Sequence, residues 1–582
     1  MKALFLLLLA AAAMPAQVLI SGDWQTLMHE DQPERGQGPD LGDYLGIPIN
    51  GAARLRADSW DASRLTLQEH QCRVHVAPYI YFGPLQVRIW EEKDPDSQQV
   101  IAIKQYISTY EQNRTIWLDG RPHPSEYAPH TFMGFSTGKW EGDVLTVETT
   151  HLKQGWLRRN GLPESDQATM VEHFIRHENY LTHVSVLKDP VYLTEPLIKT
   201  QTFRMAERDP GNWLWPCEYV EEVVGRPKGA VPNFLPGKNP FLKEFPEKHG
   251  LPEQAVRGGA ETMYPEYRAG LRTGNAPAPA EESTAAPPPR NSGSRGIEVL
   301  PVQGNVYLLA NAGGNITIQA GKNGVLLVDA GKEAMTAEIL AAVRKISDKP
   351  IRYLFNTSVD NDHTGGNPNL ARTFGSATTV NVANTPGSSA TQTVQIYAHD
   401  NVLARMTAAK LPSIAWPSET YIGDSKELYF NGEAVLTYHV PAAHTDGDSI
   451  VHFRGSDVIS AGDILNTTSY PVIDLQNGGS LQGVIDGLNR ILDIAVPAHH
   501  EEGGTYIIPG HGRICDEFDV VEYRDMLTIL RDRILAAIKN GMSLEQVQAA
   551  RFTRDYDPQY GAGPWTTAMF MEAAYRSLTQ KH

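Results

Sequence analysis

Residues Asn275 to Ser294 read NAPAPAEESTAAPPPRNSGS. Proline, alanine, serine and glycine without an apolar period bury no core, so the run predicts an extended, semi-rigid linker over 271–296. The 582 residues therefore fold on one side of it or the other, and each side is long enough for a substantial core. Charged residues at 20% and hydrophobic ones at 41% place both sides among globular proteins. A net charge of −17 opposes a phosphate backbone, so no nucleic-acid partner is expected.

The opening MKALFLLLLAAAAMPAQ joins Lys2 to an apolar stretch from Ala3 to Ala13 and then to small residues. This layout predicts a signal peptide over 1–16 and export to the periplasm or beyond the cell. The stretch is shorter than the ~20 apolar residues that span a bilayer, and nothing later is long enough, so no stable transmembrane segment is expected. Export permits disulfides. Of the three cysteines, Cys72 and Cys217 share one side of the linker and form the candidate bridge, with Cys515 left over; three buried free thiols are the alternative.

The amino-terminal part, 17–270, carries the runs LQVRIW from Leu85, VIAIKQYI from Val100, VLTVETTHL from Val144 and YLTHVSVL from Tyr180. They are rich in β-branched and aromatic residues and are separated by turn formers, which predicts a mainly β domain, sandwich or barrel. His173 and His177 have a helical metal spacing, but MVEHFIRHENYLTHVSV alternates as a strand does. Residues four apart in a strand stand ~13 Å apart, too far for one ion. With His130, His151 and His183 they read as surface or hydrogen-bonded side chains. The segment MGFSTGKWEGDVLTVETTHL resembles stretches of uncharacterised exported bacterial proteins, which implies no activity. A glycan or a protein is the candidate partner of this part.

The carboxy-terminal part opens with short strands and reaches the buried run VLLVD, ending at Asp329, before the helical pattern TAEILAAVRKI. IRYLFN then leads into NTSVDNDHTGGN, Asn356 to Asn367. Further polar residues follow apolar runs: His444 in AAHTDGD, Asp463 in ISAGD and His511 in IIPGHG. Nitrogen and oxygen donors arriving from several strand ends are what a metal-dependent hydrolase requires. The residues so placed are Asp329, Asp360, Asp362, His363, His444, Asp463 and His511. Helical patterns dominate 516–582.

In this order, VLLVDAG, NTSVDNDHTGGN, AHTDGD, AGD and IIPGHG resemble the metallo-β-lactamase superfamily over roughly 296–512. The resemblance implies an αβ/βα sandwich over 297–515 with a metal pair at one edge, one or two zinc ions by default. The family's first loop normally reads His-x-His-x-Asp-His, and Ser358 and Asp360 stand where its first two histidines would be. By position, one metal keeps Asp362, His363, His511 and Asp463, and the other keeps His444, Asp463 and whatever Asp360 supplies. The flavodiiron branch has a carboxylate at the place of Asp360, and oxygen-rich sites move preference toward iron or manganese. The other reading has Asp360 merely solvating a vacated position. Ser358 reads as a hydrogen-bonding neighbour, Asp329 as a support for the metal loop, and His399, His499 and His500 as non-ligands.

The resemblance implies hydrolysis of an ester, thioester, amide or lactam bond in a small-molecule substrate, with Asp362 also holding the nucleophile. Which bond is cleaved does not follow, since one fold hosts many chemistries. Two other classes stay open: a binding or scaffold protein with a degenerate metal site, and an iron-dependent redox enzyme, for which no flavin domain is visible.

Overall fold

The computed structural model describes residues 19–27, 38–82, 86–206, 218–273, 296–374, 393–498 and 503–580. The expected signal peptide, Cys217, nearly all of the expected linker, His499 and His500 lie outside the described residues. The chain divides into two compact units: Met1–Pro124, His130–Val224 and Phe234–Thr284 form one, and Ser125–Pro129, Gly225–Asn233 and Ala285–His582 the other.

The first unit is built on a closed barrel. Its chain order is β1 (Gly22–Thr26), β2 (Gln86–Lys93), β3 (Val100–Ile107), β4 (Gln112–Trp117), β5 (Phe135–Glu141), β6 (Val144–Thr150), a side hairpin β7 (Gly155–Arg158) and β8 (Leu162–Glu164), then β9 (Thr169–His177), β10 (Tyr180–Lys188) and β11 (Leu197–Met205). Closure comes from β1, where Trp24 pairs with Val87 on one side and Met205 on the other. Alternation along β10 sends Leu181, His183, Ser185 and Leu187 inward, as a period of two requires. His173 and His177 lie on strand β9, so their spacing is that of a strand.

Polar groups inside the barrel are paired. Arg114 forks onto Glu172, with Nη1 donating to Oε1 at 2.9 Å, and His183 Nε2 lies 2.8 Å from the same oxygen. GFSTG at Gly134 to Gly138 has the spacing of a nucleophile elbow, but Ser136 lies inside β5 with its hydroxyl accepting from Arg114 Nε at 3.2 Å. A buried serine without a facing base is not an exposed nucleophile. Cys72 is disulfide-bonded, and its expected partner Cys217 lies outside the described residues. Cys515 is a buried free thiol.

The second unit holds two sheets. Seven strands run β12 (Glu298–Gln303), β13 (Val306–Ala310), β14 (Ile316–Gly321), β15 (Gly324–Val328), β16 (Ile351–Phe355), β17 (Gln395–His399) and β18 (Glu419–Tyr421). Pairing is antiparallel to β15 and parallel from there on. Six strands form the other: β19 (Ser425–Phe430), β20 (Glu433–His439), β21 (Ser449–Phe453), β22 (Val458–Asn466), β23 (Tyr506–His511) and β24 (Cys515–Asp516).

Strand β15 is buried on both faces, which explains its unbroken apolar run. Leu326 and Val328 point between the sheets toward Val451, Phe453 and Ile508. Val325 and Leu327 point outward onto Ile339 and Val343 of the helix Thr336–Ile346. On the far side, Ile459 and Ala461 meet the helices Leu481–Ile494 and Glu517–Lys539 through Val484, Leu488, Leu527 and Leu530. The layers are thus αβ/βα, and the helix after Asp516 supplies part of the outer layer. Among the described residues, no helix is long and apolar enough to cross a membrane.

Candidate metal centre

The site grows from the end of β15. Asp329 has φ of +71°, a left-handed conformation uncommon outside glycine, and this turns its carboxylate back under the next loop. It accepts from Thr357 N at 2.8 Å and Thr357 Oγ1 at 2.7 Å, and lies 2.7 Å from His363 Nδ1. A proton held on Nδ1 by a carboxylate leaves Nε2 as the ring's donor of electrons. Asp329 is thus the support, not a ligand.

After β16 the chain turns into a short helix, Asn361–Thr364, with Asp360 at its N-cap. Ser358 Oγ accepts from Asp360 N at 3.3 Å, so the buried serine shapes the loop. A Cβ at Gly366 would stand 2.3 Å from the Ala330 carbonyl oxygen, which is why this loop ends in glycine.

The remaining ligands come from the second sheet. His444 follows β20, where Asp448 accepts from Thr445 N and Oγ1, both at 2.8 Å. Asp463 lies within β22 rather than at its end, because the ladder to β23 slips around Gly462, and a bulge of this kind re-aims the neighbouring side chain. Gly510 makes room for it: a Cβ there would stand 2.3 Å from Asp463 Oδ1. His511 is the last residue of β23.

All six sequence-derived candidates meet. Donor atoms of Asp362, His363 and His511 lie within 4.8 Å of one another, as do those of Asp360, His444 and Asp463. Asp463 stands between the groups: Oδ2 is 3.1 Å from His363 Nε2 and 3.9 Å from His444 Nδ1, and Oδ1 is 3.4 Å from His511 Nε2. His511 Nε2 is 3.3 Å from Asp362 Oδ2, and His444 Nε2 is 3.0 Å from Asp360 Oδ2.

Electrostatics favour a cation here. Burial alone would push His363 and His444 down, but the surrounding carboxylates outweigh it and hold both well above the ordinary imidazole range: Asp463 and Asp329 for His363, and Asp360, Asp448 and Asp463 for His444. His511 is raised in the same way by Asp362 and Asp463. Burial would raise Asp463, yet the three imidazoles hold it far below the usual carboxylate range. Each shift expresses one demand: the carboxylates require positive charge beside them, supplied by ring protons or by a metal.

The fit to a metal rests on orphaned atoms. His363 Nε2, His444 Nδ1 and Asp463 Oδ1 are buried and find no hydrogen-bond partner among the described residues. A buried polar atom left unpaired is costly, and three of them around one small space are donors set for an ion.

Residues 300–514 match the family model of the metallo-beta-lactamase superfamily. Asp329 and all six candidate ligands lie inside that span. No curated protein matches the chain. Among solved structures, the inverting sec-alkylsulfatase Pisa1 from Pseudomonas sp. aligns with TM-score 0.39 and 12% identity over 48% of this chain and 50% of its own. This chain thus spans about half the length of that sulfatase. Metallo-beta-lactamases from Pontibacter korlensis and Hirschia baltica align with TM-score 0.31 at 14% and 16% identity, each over 40% of this chain and 98% of its own. At such scores these likenesses decide nothing about the reaction.

Asn356 and Asn367 went unnoticed in the sequence, although they bracket the metal loop. Asn356 Nδ2 donates to the His363 carbonyl oxygen at 3.0 Å, and Asn367 Nδ2 to Asn356 Oδ1 at 2.8 Å. Two asparagines at the two ends of one ligand loop were the available signal. Asp448 was missed as well, four residues beyond His444 and 3.8 Å from its Nδ1.

Proposed function

We propose that this chain is an exported metal-dependent hydrolase of small molecules that cleaves an ester, thioester, amide or lactam bond. The observation that carries the reading is the bridging place of Asp463, with one carboxylate–histidine group on each side and unpaired ring nitrogens facing inward. Asp362, His363, His511 and Asp463 would hold one ion, and Asp360, His444 and Asp463 a second. A bound ion supplies Lewis acidity there, activating water and polarising the substrate's electrophilic centre.

The chain's own groups do the rest. Asp329 keeps the His363 proton on Nδ1, and Asp448 fixes the loop after His444 by accepting from Thr445 N and Oγ1. Asp362, 24% exposed against 12% for Asp463, reaches the open side of the site, where its carboxylate would orient the attacking water and take its proton. Export is supported by the leading segment around Lys2 and by the disulfide at Cys72, since such bonds persist in oxidising compartments.

Elemental analysis of the purified full chain, with turnover of chromogenic ester and lactam substrates before and after chelation, tests the proposal. Metal bound at one or two ions per chain and chelator-sensitive hydrolysis are expected. Protein that takes up no zinc, iron or manganese would leave only the scaffold reading.

A further inference from the structure

His511 differs from the other histidines in what holds it. His363 is braced by a carboxylate on Nδ1, and His444 has Asp448 beside it. His511 sits at a strand end, 29% exposed, and its ring position depends on the PGHG turn that carries it.

From its own sheet that turn is held by Thr467 N, which donates to His511 O at 3.1 Å, and from the other sheet it is held by Asn315. Asn315, 6% exposed, donates through Nδ2 to Pro509 O at 2.9 Å and Gly512 O at 3.0 Å, and through its backbone N–H to Gly510 O at 2.8 Å. These carbonyls lie on both sides of His511. The loop leading to Asn315 also lies against the ligands: a Cβ on Gly314 would stand 3.4 Å from Asp362 O and 3.7 Å from His511 Cε1.

Tyr127 ties the loop and the turn together. It comes from Ser125–Pro129, the five-residue segment that belongs to this second unit. Its hydroxyl donates to Asn311 Oδ1 at 3.0 Å, at the start of the loop, and its carbonyl oxygen accepts from Ile514 N at 3.0 Å, just past the turn.

Building on the metal-centre reading, we infer that Asn315 and Tyr127 are positioning residues for His511, which set metal affinity at the Asp362, His363 and His511 group without touching the ion. Outer partners of ligands typically govern affinity by about 10- to 100-fold. The Asn315 side chain grips the turn directly through two hydrogen bonds, the third being its backbone N–H, which Asn315→Ala keeps; the Tyr127 hydroxyl acts through Asn311 with a single neutral one, worth about 2- to 10-fold.

The test is titration of the full-length apoprotein with cobalt(II), reading the visible d–d absorption and the number of ions bound, alongside thermal melting. Asn315→Ala is expected to weaken one of the two cobalt equivalents by about 10- to 100-fold and to shift its band, leaving the other equivalent in place. Tyr127→Phe, which keeps the ring, should move affinity and band in the same direction by less. Thr317→Val supplies the structural control: the Thr317 hydroxyl donates to Ser460 Oγ at 2.9 Å between the sheets, so this variant should melt earlier and bind cobalt as wild type does. Wild-type affinity and spectrum in Asn315→Ala, or an equal loss in Thr317→Val, would overturn the inference while the metal reading stands. Wild-type protein that binds no cobalt would overturn the metal reading and the inference with it.

Discussion

Asn367 donates through Nδ2 to Asn356 Oδ1 at 2.8 Å, so the two ends of the loop that carries Asp360, Asp362 and His363 are fastened to each other. Both side chains are at most 1% exposed. The same Asn367 amide reaches Ala415 O at 3.0 Å, and the loop cannot open without leaving buried amide groups unpaired.

Asn367→Ala should therefore cost about 1–3 kcal/mol and lower metal content at the His363 group along with stability. Denaturant titration with and without excess zinc checks this, since an ion bound to the folded state restores stability by mass action. An unchanged midpoint in both conditions would mean that the fastening is dispensable.

The two ligand groups predict separable losses. His511→Ala or Asp362→Ala should remove the ion of one group, Asp360→Ala that of the other, and Ser358→Ala neither, as elemental analysis would read. If Asp360 only solvates a vacated position, the wild type already holds one ion and Asp360→Ala leaves it there. Ser358→His with Asp360→His offers two imidazoles, which suit zinc better than a carboxylate does. The double variant is expected to bind zinc and to lose the wild-type activity, because the loop is then tuned to a different ion. A gain in turnover would show an eroded zinc site instead.

Acid should loosen the barrel through Glu172. Burial would raise this carboxyl, but the Arg114 charge and fork, with His183, outweigh it and lower it from 4.5 to about 2. A folded-state value below the unfolded one means that the unfolded chain binds the extra proton as pH falls. The stabilisation is therefore whole above about 4.5 and is lost progressively toward about 2. Arg114→Met alone should cost about 3–5 kcal/mol by stranding the carboxylate, whereas Arg114→Met with Glu172→Met should recover much of that and flatten the acid limb of the stability curve. Equal acid sensitivity in the double variant and the wild type would remove Glu172 from the account.

A fragment from Ile297 onward should fold by itself. Among the described residues packed in the second unit's clusters, only the buried Val231 and the partly buried Tyr127 precede the linker, and leaving out Val231 forfeits about 1.5–3 kcal/mol of burial. Circular dichroism with a cooperative melt is the check, and a fragment that stays unfolded would mean that Gly225–Asn233 and Ser125–Pro129 are indispensable to the core.

The ligands were legible in the sequence for a physical reason. A strand buried on both faces must be a continuous apolar run, so the first carboxylate or imidazole beyond it marks the sheet's end, as Asp329 and His511 do. Barrel and sandwich were not distinguishable, because an inward–outward alternation such as that of β10 serves both. Closure is decided by β1 pairing with two strands far along the chain. Tyr127 and Asn315 were invisible for a different reason. Their roles lie in hydrogen bonds to residues about two hundred positions away in the chain, and a five-residue segment such as Ser125–Pro129 has no period to read.

The double pairing of β1 bears on how the barrel closes. Trp24 has Val87 and Met205 as its neighbours, so the first described strand in the chain waits for the barrel's last strand before both its edges are covered. Until β11 has emerged, every intermediate presents an open sheet with unpaired backbone groups, the kind of species that associates with its own copies. The barrel's exposure to self-association therefore lies in the interval before β11 docks on β1, and the closed barrel, with both edges of β1 covered, no longer offers that edge.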